Sequence, residues 1–307
     1  MKQICFIVPV FNEQENVELL TAAIKNIMLP LSYTYLILFI DDGSTDLTLE
    51  KIKHLAASSP CIKYISFTRN FGHQNAIKAG LDAAEGDCII SIDGDMQHPV
   101  NFIPVMLEKF ETGYDIVYTL RKEDKNLPFI KRKSSNLFYF LLNKLSDVKI
   151  EKGSADFRLL SRRVVNVMRK LNEYDLFFRG LVKWVGFRQL AIEYNPVQRT
   201  HGKTKYTFKK MTRLGLLGFL SFSIKPLYIA IFLGFIFSLA SIFYLPYVLY
   251  SYYYGYIISG WASVIVTIAF FGGLQLMILG IIGLYIGRIF MQVKNRPAYI
   301  INESNLS

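Results

Sequence analysis

The 307-residue chain is 52% hydrophobic, 15% aromatic and 19% charged, a composition that excludes an intrinsically disordered protein. Its net charge of +11 is unevenly distributed: residues 196–307 contain ten Lys or Arg and one acid, Glu303, which leaves +2 for residues 1–195. A near-neutral part followed by a basic, apolar part favours contact with an anionic membrane surface and predicts no nucleic-acid partner.

Short apolar segments alternate with helical segments through the first 120 residues. Strands are predicted at residues 4–10, 35–40, 62–67, 87–92 and 115–119, and helices are predicted to end near residue 27 and to span residues 48–57, 75–84 and 100–111. Continuous apolar strands alternating with helices indicate an α/β fold whose mostly parallel sheet is covered on both faces. Because ligands of such sheets bind beyond the carboxyl ends of the strands, polar residues there are site candidates.

The segment Asp93-Gly94-Asp95 follows the fourth predicted strand. Two carboxylates two residues apart on a turn can approach one hard cation, and Gly94 allows the backbone to come close to a ligand. Gln97 follows as a further oxygen donor. We therefore predict a site for Mg²⁺ or Mn²⁺ that bridges to a substrate diphosphate. The alternative is an ordinary Asp-Gly turn.

Two further polar segments end predicted strands. Asp41-Asp42-Gly43-Ser44 ends the second, where a carboxylate can hydrogen-bond a base or a ribose. The alternative is capping of the next helix by Ser44, Thr45 or Asp46. The segment from Pro9 to Glu13 ends the first strand and is expected either to shape a nucleotide pocket or to form a turn capped by Asn12.

Residues 226–287 contain no Asp, Glu, Lys, Arg or His. The length and composition predict two membrane spans, the first at residues 227–245 and continuing to about residue 250, the second at residues 261–287. The uncharged residues 251–260, rich in Tyr and Gly, suit an interfacial turn. The alternative is a pair of buried helices in a large soluble core.

Basic residues precede the first span and follow the second, so the positive-inside rule places both termini and the N-terminal domain in the cytoplasm. Three widely spaced cysteines, Cys5, Cys61 and Cys88, agree with this reducing compartment. The predicted organisation is a domain at 1–200, an amphipathic juxtamembrane segment at 201–225, a hairpin at 226–290 and a tail at 291–307. Gly283 and Gly287 have the spacing of close helix packing and suggest a homo-oligomer.

The ordered motifs resemble a known family. The chain resembles the family 2 glycosyltransferases, which have a GT-A fold with a Rossmann-like, mostly parallel sheet. Four motifs carry the resemblance: Val8-Pro9-Val10-Phe11-Asn12-Glu13, Asp41-Asp42-Gly43-Ser44-Thr45-Asp46, Arg69-Asn70-Phe71-Gly72-His73 and Asp93-Gly94-Asp95-Met96-Gln97-His98-Pro99. Further motifs, together with the two predicted spans, resemble the polyprenyl-phosphate branch of this family. They are Asp156-Phe157-Arg158, Arg199 and His201-Gly202-Lys203-Thr204-Lys205. That branch includes the bactoprenol glucosyltransferases and dolichol-phosphate mannose synthase. The family usually has Asp-Ala-Asp-Leu-Gln, so Gly94 and Met96 depart from it, while both acids and the Gln are retained.

The resemblance implies transfer of a sugar from a nucleotide-sugar to polyprenyl phosphate at an inner membrane, with inversion, for glycan modification. It implies catalytic roles for Asp95, Asp156, Arg121, Arg132 and Arg199. It implies nucleotide-sugar binding by Pro9, Phe11, Asn12, Glu13, Asp41, Asp42, Arg69, Asp93 and Gly94. The implied ligands of the acceptor phosphate are Arg132, Arg199, Lys203 and Lys205, and those of the metal are Asp93, Asp95 and Gln97.

Several alternatives remain open at the level of sequence. UDP-glucose is the favoured donor, with another UDP-sugar or GDP-mannose as alternatives. The chain has no Gln-x-x-Arg-Trp motif, which argues against a processive polysaccharide synthase. An inactive membrane scaffold would retain the fold without the chemistry, and a transporter would need a polar pathway that two uncharged spans do not offer.

Overall fold

The computed structural model of the chain describes residues 1–122, 151–174, 176–194, 225–255 and 260–306. Four residues with predicted roles lie outside the described residues: Arg132, Arg199, Lys203 and Lys205. The amphipathic segment predicted at residues 201–225 also lies outside them, except for its last residue.

Eight strands form one sheet in the described part of the chain. They are β1 (Gln3–Val10), β2 (Thr34–Asp41), β3 (Ile62–Phe67), β4 (Cys88–Ser91), β5 (Ile116–Arg121), β6 (Ser154–Ser161), β7 (Gln189–Tyr194) and β8 (Ile301–Ser304). Their order in the sheet is β7-β5-β6-β4-β1-β2-β3-β8. Strands β1 to β4 are parallel to one another, as are β5 and β7, whereas β6 and β8 run antiparallel to their neighbours.

The described helices cover both faces of this sheet and continue beyond it. They are α1 (Val17–Met28), α2 (Thr48–Ser58), α3 (His73–Ala83), α4 (Ile103–Glu111), α5 (Arg162–Arg169), α6 (Phe178–Trp184), α7 (Lys225–Tyr253) and α8 (Trp261–Val293). A short 3₁₀ turn, Val100–Phe102, leads into α4. Helices α1, α2 and α4 pack on one face and α3, α5 and α6 on the other.

The central strand β1 shows why the sheet is buried on both sides. Phe6 and Val8 belong to the core on the α1 face, while Cys5 and Ile7 belong to the core on the α3 face, and all four are fully buried. Since successive side chains of a strand point to opposite faces, an unbroken apolar run is required where both faces are covered. The predicted α/β architecture with a mostly parallel sheet is thus confirmed.

The sequence did not predict β6, β7 or β8. Strand β6 inserts between β4 and β5 in the antiparallel sense, and β8 pairs antiparallel with the outer edge of β3. Strand β8 lies in the segment that was predicted to be a tail. Its four residues, Ile301–Ser304, are too few and too polar for an alternation of apolar and polar side chains to predict a strand.

Long helices occupy both segments predicted to cross a membrane. In the described part of the chain, one helical segment is long and apolar enough for this, Phe270–Val293 in α8, and none of its most apolar window is buried. A shorter apolar segment, Leu227–Phe237, lies within α7. Helix α7 continues through Pro246 to Tyr253, so it extends about one turn beyond the predicted end.

Candidate functional site

Polar turns meet where β4, β1 and β2 end. The strand order reverses at β1, with β4 on one side and β2 on the other, and such a switch point opens a crevice for ligands at the carboxyl edge. The backbone N–H of Asp42 donates to the carbonyl of Val10 (2.9 Å) on one side. Gly94 lies against Val10 on the other. The end of β1 therefore separates two parts of the site.

The turn after β4 packs tightly against the end of β1 at its central residue, Gly94. A Cβ atom on Gly94 would lie 2.7 Å from Cγ1 of Val10 and 3.3 Å from the carbonyl oxygen of Pro9, so a larger residue here would require the Val10 side chain to shift. Met96 follows with a φ of 59°, a left-handed conformation that non-glycine residues adopt at a cost. The Gln97 backbone N–H donates to Oδ1 of Asp95 (3.1 Å). These contacts fix the Asp93-to-Gln97 turn against the end of β1.

Two histidines hold the carboxylate of Asp93. Nε2 of His98 lies 3.0 Å from its Oδ2, and Nε2 of His73 lies 3.4 Å from its Oδ1. The other ring nitrogen of His98 lies 3.0 Å from the hydroxyl of Tyr194 at the end of β7. Burial acts to raise the pKa of Asp93, but the charges of the two histidines outweigh it and lower that pKa.

A second carboxylate, that of the buried Asp156 on β6, continues this arrangement. Its Oδ2 lies 2.8 Å from Nη2 of Arg179 and 3.5 Å from Nε2 of His73, and its Oδ1 lies 3.2 Å from Nη2 of Arg158. Burial alone would raise the pKa of Asp156, yet Arg179, His73 and Arg158 hold it well below its usual range. Residues His73, Asp93, His98, Asp156, Arg158 and Arg179 are called the acid–histidine cluster below.

The structure places His73 in the site, although the sequence did not predict it as a site residue. Helix α3 begins at His73 rather than at residue 75, which places this side chain between Asp93 and Asp156. Burial disfavours its charged form, but the two carboxylates prevail and raise the pKa of His73 to about 9. In the sequence, the position of His73 in the Arg69-to-His73 motif indicates a site residue. The motif does not show which carboxylates this histidine contacts.

Arg158 and Arg179 were likewise not predicted as site residues. Arg158 is 1% exposed, with its guanidinium 5.0 Å from the centre of the Phe178 ring. Burial lowers the pKa of Arg158 to about 10 despite the opposing charge of Asp156. A cation this deeply buried is uncommon and requires a paired anion, so Arg158 and Asp156 stabilise each other.

A cavity of about 490 Å³ lies at the ends of β2 and β3 and is called the β2–β3 cavity below. It is lined by Phe11, Asp41, Gly43, Ser44, Thr45, Leu49, Ser66, Phe67, Thr68, Arg69, Asn70 and Asn302. Asp41 is buried in its wall, where Oδ2 accepts from the Ser66 hydroxyl (2.8 Å) and Oδ1 accepts from the Ser44 backbone N–H (3.1 Å). In the described part of the chain, the groups that hydrogen-bond this carboxylate are thus neutral.

Asp42 has a different task from Asp41. Its carboxylate accepts from the backbone N–H groups of Phe71 (2.6 Å) and Gly72 (2.9 Å), so it fixes the turn before α3. Burial raises the pKa of Asp42, while these two donors oppose the rise. Gly43 has a φ of 67°, and a Cβ atom there would lie 2.5 Å from the backbone of Arg69, which excludes other residues.

The predicted nucleotide residues near β1 separate into two groups. Phe11 lines the β2–β3 cavity, whereas Pro9 contributes its carbonyl beside Gly94. The side-chain oxygen of Asn12 accepts from the Thr45 backbone N–H (2.8 Å), so Asn12 supports the neighbouring loop. Glu13 accepts from the side-chain amide of Asn16 (2.7 Å) at the start of α1. Helix α1 has Asn16 at its N-cap position, so the alternative in which Asn12 caps this helix is wrong.

The described arginines of the predicted site lie at its rim. Arg69 lines the β2–β3 cavity and stacks over the ring of Phe71 (4.0 Å to its centre). It also borders a second cavity of about 540 Å³ between α3 and the end of α8. Arg121 is exposed at the end of β5, paired in register with Tyr194. Its charge acts to lower the pKa of the Tyr194 phenol, which burial nevertheless raises to about 12.

Comparison with known proteins assigns the chain to a family. The model of "Glycosyl transferase family 2" matches residues 5–168. The chain is 42% identical to an uncharacterized glycosyltransferase of Bacillus subtilis over 98% of this chain and 94% of that protein. It is 40% identical to the SfII prophage-derived bactoprenol glucosyl transferase of Shigella flexneri over 99% of this chain and 98% of that protein.

A similarity to solved structures is also found. Glucosyl-3-phosphoglycerate synthase from Mycobacterium tuberculosis, in complex with Mn²⁺, uridine diphosphate and phosphoglyceric acid, is 19% identical over 70% of this chain and 75% of that chain, with a TM-score of 0.46. The family model covers more than half of the chain, and both relatives match it almost from end to end. The chain therefore belongs to glycosyltransferase family 2.

Proposed function

We propose that this glycosyltransferase moves a sugar, with glucose from UDP-glucose as the favoured case, to the phosphate of a polyprenyl phosphate. The products are polyprenyl-phosphate-sugar and a nucleoside diphosphate, with inversion at the anomeric carbon. The 40% identity with a bactoprenol glucosyl transferase over nearly the whole of both chains supports the acceptor class. Another UDP-sugar or GDP-mannose remains an alternative donor for the same site.

The observation that carries the proposal is the pairing of two unlike sites across the end of β1. The β2–β3 cavity contains Asp41 and an aromatic side chain, Phe11, and suits a nucleoside. On the other side of Val10, the turn with Asp93 and Asp95 suits the diphosphate and sugar of the same donor. A nucleotide-sugar has these two parts in this order, so one molecule can reach both.

The residues of the Asp93-to-Gln97 turn fit a divalent cation. Oδ1 of Asp93 is buried and accepts no hydrogen bond from the described part of the chain, where Nε2 of His73 is its ion-pair partner at 3.4 Å. This leaves lone-pair capacity on Oδ1 for a further ligand. Asp93, Asp95 and Gln97 offer only hard oxygen ligands, as Mg²⁺ and Mn²⁺ prefer. A bound cation would neutralise the charge that develops on the leaving diphosphate.

The acceptor needs no strong general base, because a phosphate oxygen is already anionic at neutral pH. The environment of Asp156 agrees with this, since Arg179, Arg158 and His73 lower its pKa and make it a poor proton acceptor. We therefore assign Asp156 to positioning, where it orients Arg179 and His73 towards Asp93. The exposed Arg121, with Arg132 and Arg199, would supply cations to the diphosphate and the acceptor phosphate, and Lys203 and Lys205 would add to the acceptor site.

The proposal includes attachment to the inner membrane. Helix α8 contains the segment Phe270–Val293, which is long and apolar enough to cross it, and α7 would provide a second crossing. Both termini and the catalytic domain would then be cytoplasmic. The amphipathic segment at residues 201–225 would lie at the headgroups and bring the site to the lipid phosphate. Gly283 and Gly287 would permit helix packing in a homo-oligomer.

The test is transfer by the purified full chain in detergent, with polyprenyl phosphate and Mg²⁺ or Mn²⁺. Radiolabelled UDP-glucose, UDP-galactose, UDP-N-acetylglucosamine and GDP-mannose are offered separately. Label is expected in the lipid phase with one donor, to be lost in Asp95→Ala and retained in the control Glu108→Gln, whose carboxylate is exposed on α4. Failure of every donor together with absence of metal-dependent nucleotide binding would contradict the proposal and favour an inactive scaffold.

A further inference from the structure

The edge strand β8 carries a bulge next to the β2–β3 cavity. Ser66 of β3 pairs with Glu303, but the next residue, Phe67, pairs with Ile301. One residue of β8, Asn302, is therefore extra in the ladder. Bulges occur at sheet edges beside functional sites, where they redirect a side chain.

Contacts on both sides of the bulge hold β8 in place. The Tyr299 ring stacks on Phe67 at 5.1 Å between ring centres, and the carbonyl of Ile300 accepts from the Thr68 backbone N–H (3.1 Å). Beyond the bulge, the side-chain oxygen of Asn305 accepts from the Tyr64 backbone N–H (2.7 Å). The position of Asn302 is therefore set by its neighbours and does not depend on its own side chain.

Asn302 lines the β2–β3 cavity together with Asp41 and Phe11. Asn302 is exposed, and in the described part of the chain its side-chain amide makes no hydrogen bond. The side-chain amide of Asn305, three residues on, is instead used to fix the strand, since it bonds the backbone of Tyr64 and Ile62. An amide offers one acceptor and two donors. It can therefore pair with a planar ring edge that presents an N–H beside a carbonyl, as a nucleobase does.

We infer that Asn302 recognises the nucleobase of the donor, and that the segment after the last long helix completes the donor pocket. The inference rests on the proposed function, because it assigns the β2–β3 cavity to the nucleoside. Asp41 presents only acceptors from β2, and Asn302 adds donors from β8, which lies beyond β3 in the sheet. Base recognition then depends on a residue more than 230 positions along the chain from the other polar groups of the cavity.

The experiment is calorimetric titration of the full chain in detergent with UDP, GDP and pyrophosphate, each with Mn²⁺. Asn302→Ala is expected to weaken UDP binding about 10-fold, the effect of one or two hydrogen bonds, and to leave pyrophosphate binding unchanged. Asn302→Asp, which keeps the size of the side chain but removes its donors, is expected to behave likewise. The matched control is Ser304→Ala, on the same strand but outside the cavity lining.

The outcomes separate this inference from the proposed function. Unchanged UDP binding in both Asn302 variants overturns the inference and leaves the proposed function standing. Equal weakening of UDP and pyrophosphate also overturns it, since Asn302 would then support the site in general. If the unaltered chain binds neither UDP nor GDP, the proposed function fails and the inference fails with it.

Discussion

The two parts of the site hold their carboxylates by different means. In the β2–β3 cavity, Asp41 accepts hydrogen bonds from a hydroxyl and a backbone N–H. In the acid–histidine cluster, Asp93 and Asp156 are surrounded by imidazole and guanidinium groups. The hydrogen-bond partners of Asp41 are neutral, whereas the groups around Asp93 and Asp156 are strongly coupled by charge, although both parts lie at the same edge of one sheet.

This difference indicates a division of labour. Neutral hydrogen bonds give discrimination of about 1 kcal/mol each and suit an uncharged nucleoside. Coupled buried charges are costly to break and suit a reacting centre where charge develops. We therefore expect substitutions in the β2–β3 cavity to change donor affinity and substitutions in the acid–histidine cluster to change rate or stability. Three predictions test this contrast, and a fourth concerns a carboxylate outside both parts.

The largest effect is expected for Arg158→Met in the acid–histidine cluster. Arg158 is almost fully buried against Asp156, and removal of one partner of such a pair costs about 3–5 kcal/mol. The melting temperature should fall by on the order of 10 °C. The control is Lys170→Met at an exposed position after α5, which should change stability by less than about 0.5 kcal/mol. Equal melting temperatures for the two variants would contradict the assigned pairing.

A large loss of rate is expected for His73→Gln. This side chain lies within 3.5 Å of both Asp93 and Asp156, and loss of a group that orients a metal ligand typically costs about 10- to 100-fold in activity. Sugar transfer should fall by this factor at saturating donor, while affinity for uridine stays the same. His54→Gln, exposed on α2, serves as the control. A rise in KM with an unchanged kcat would place His73 with the β2–β3 cavity instead.

A moderate loss of affinity is expected for Ser66→Ala in the β2–β3 cavity. The substitution removes the hydroxyl that donates to Asp41 at 2.8 Å, a contact worth about 1 kcal/mol. The Kd for UDP should rise about 5-fold, and kcat should remain within about 2-fold. Titration and initial-rate measurements provide the two values, with the exposed Ser58→Ala on α2 as control. A lower kcat with unchanged Kd would remove the contrast between the two parts.

The smallest effect concerns a carboxylate outside both parts. Asp115 precedes β5, and its hydrogen bonds from Arg163 and Ser161 lower its pKa. A carboxylate whose pKa is lower in the folded chain than in the unfolded chain stabilises the fold when the pH is above the unfolded pKa of about 4. This contribution is lost as the pH falls through the pKa of the folded chain. Because Arg163 is 65% exposed, Asp115→Asn should cost only about 1 kcal/mol at pH 7.

Melting temperatures between pH 7 and pH 2 check this prediction. The difference between Asp115→Asn and the unaltered chain should shrink as the pH falls, and sugar transfer at pH 7 should be unchanged. A difference that grows towards low pH would show the opposite sign of coupling, with the pKa of Asp115 raised in the folded chain.

The amino-acid sequence by itself determined the α/β class, the first five strands and the position of the polar turns. Apolar runs such as Ile4–Val10 can be buried on both faces only in a covered parallel sheet, and carboxyl-end residues such as Asp41 and Asp93 then share one edge. Local composition is sufficient for such statements, because each strand and each turn is encoded within a few residues. The apolar segments at residues 227–245 and 261–287 can be recognised in the sequence for the same reason.

Only the tertiary structure decided which side chains meet. Asp41 and Asp42 are adjacent in sequence, yet one lines the β2–β3 cavity and the other fixes the turn before α3. His73 reaches Asp156, and Asn302 reaches the wall that holds Asp41, across long separations along the chain. The bulge in β8 places Asn302, and the first residue of α3 places His73. Strand pairing and helix packing decide both features, and neither feature has a local pattern in the sequence.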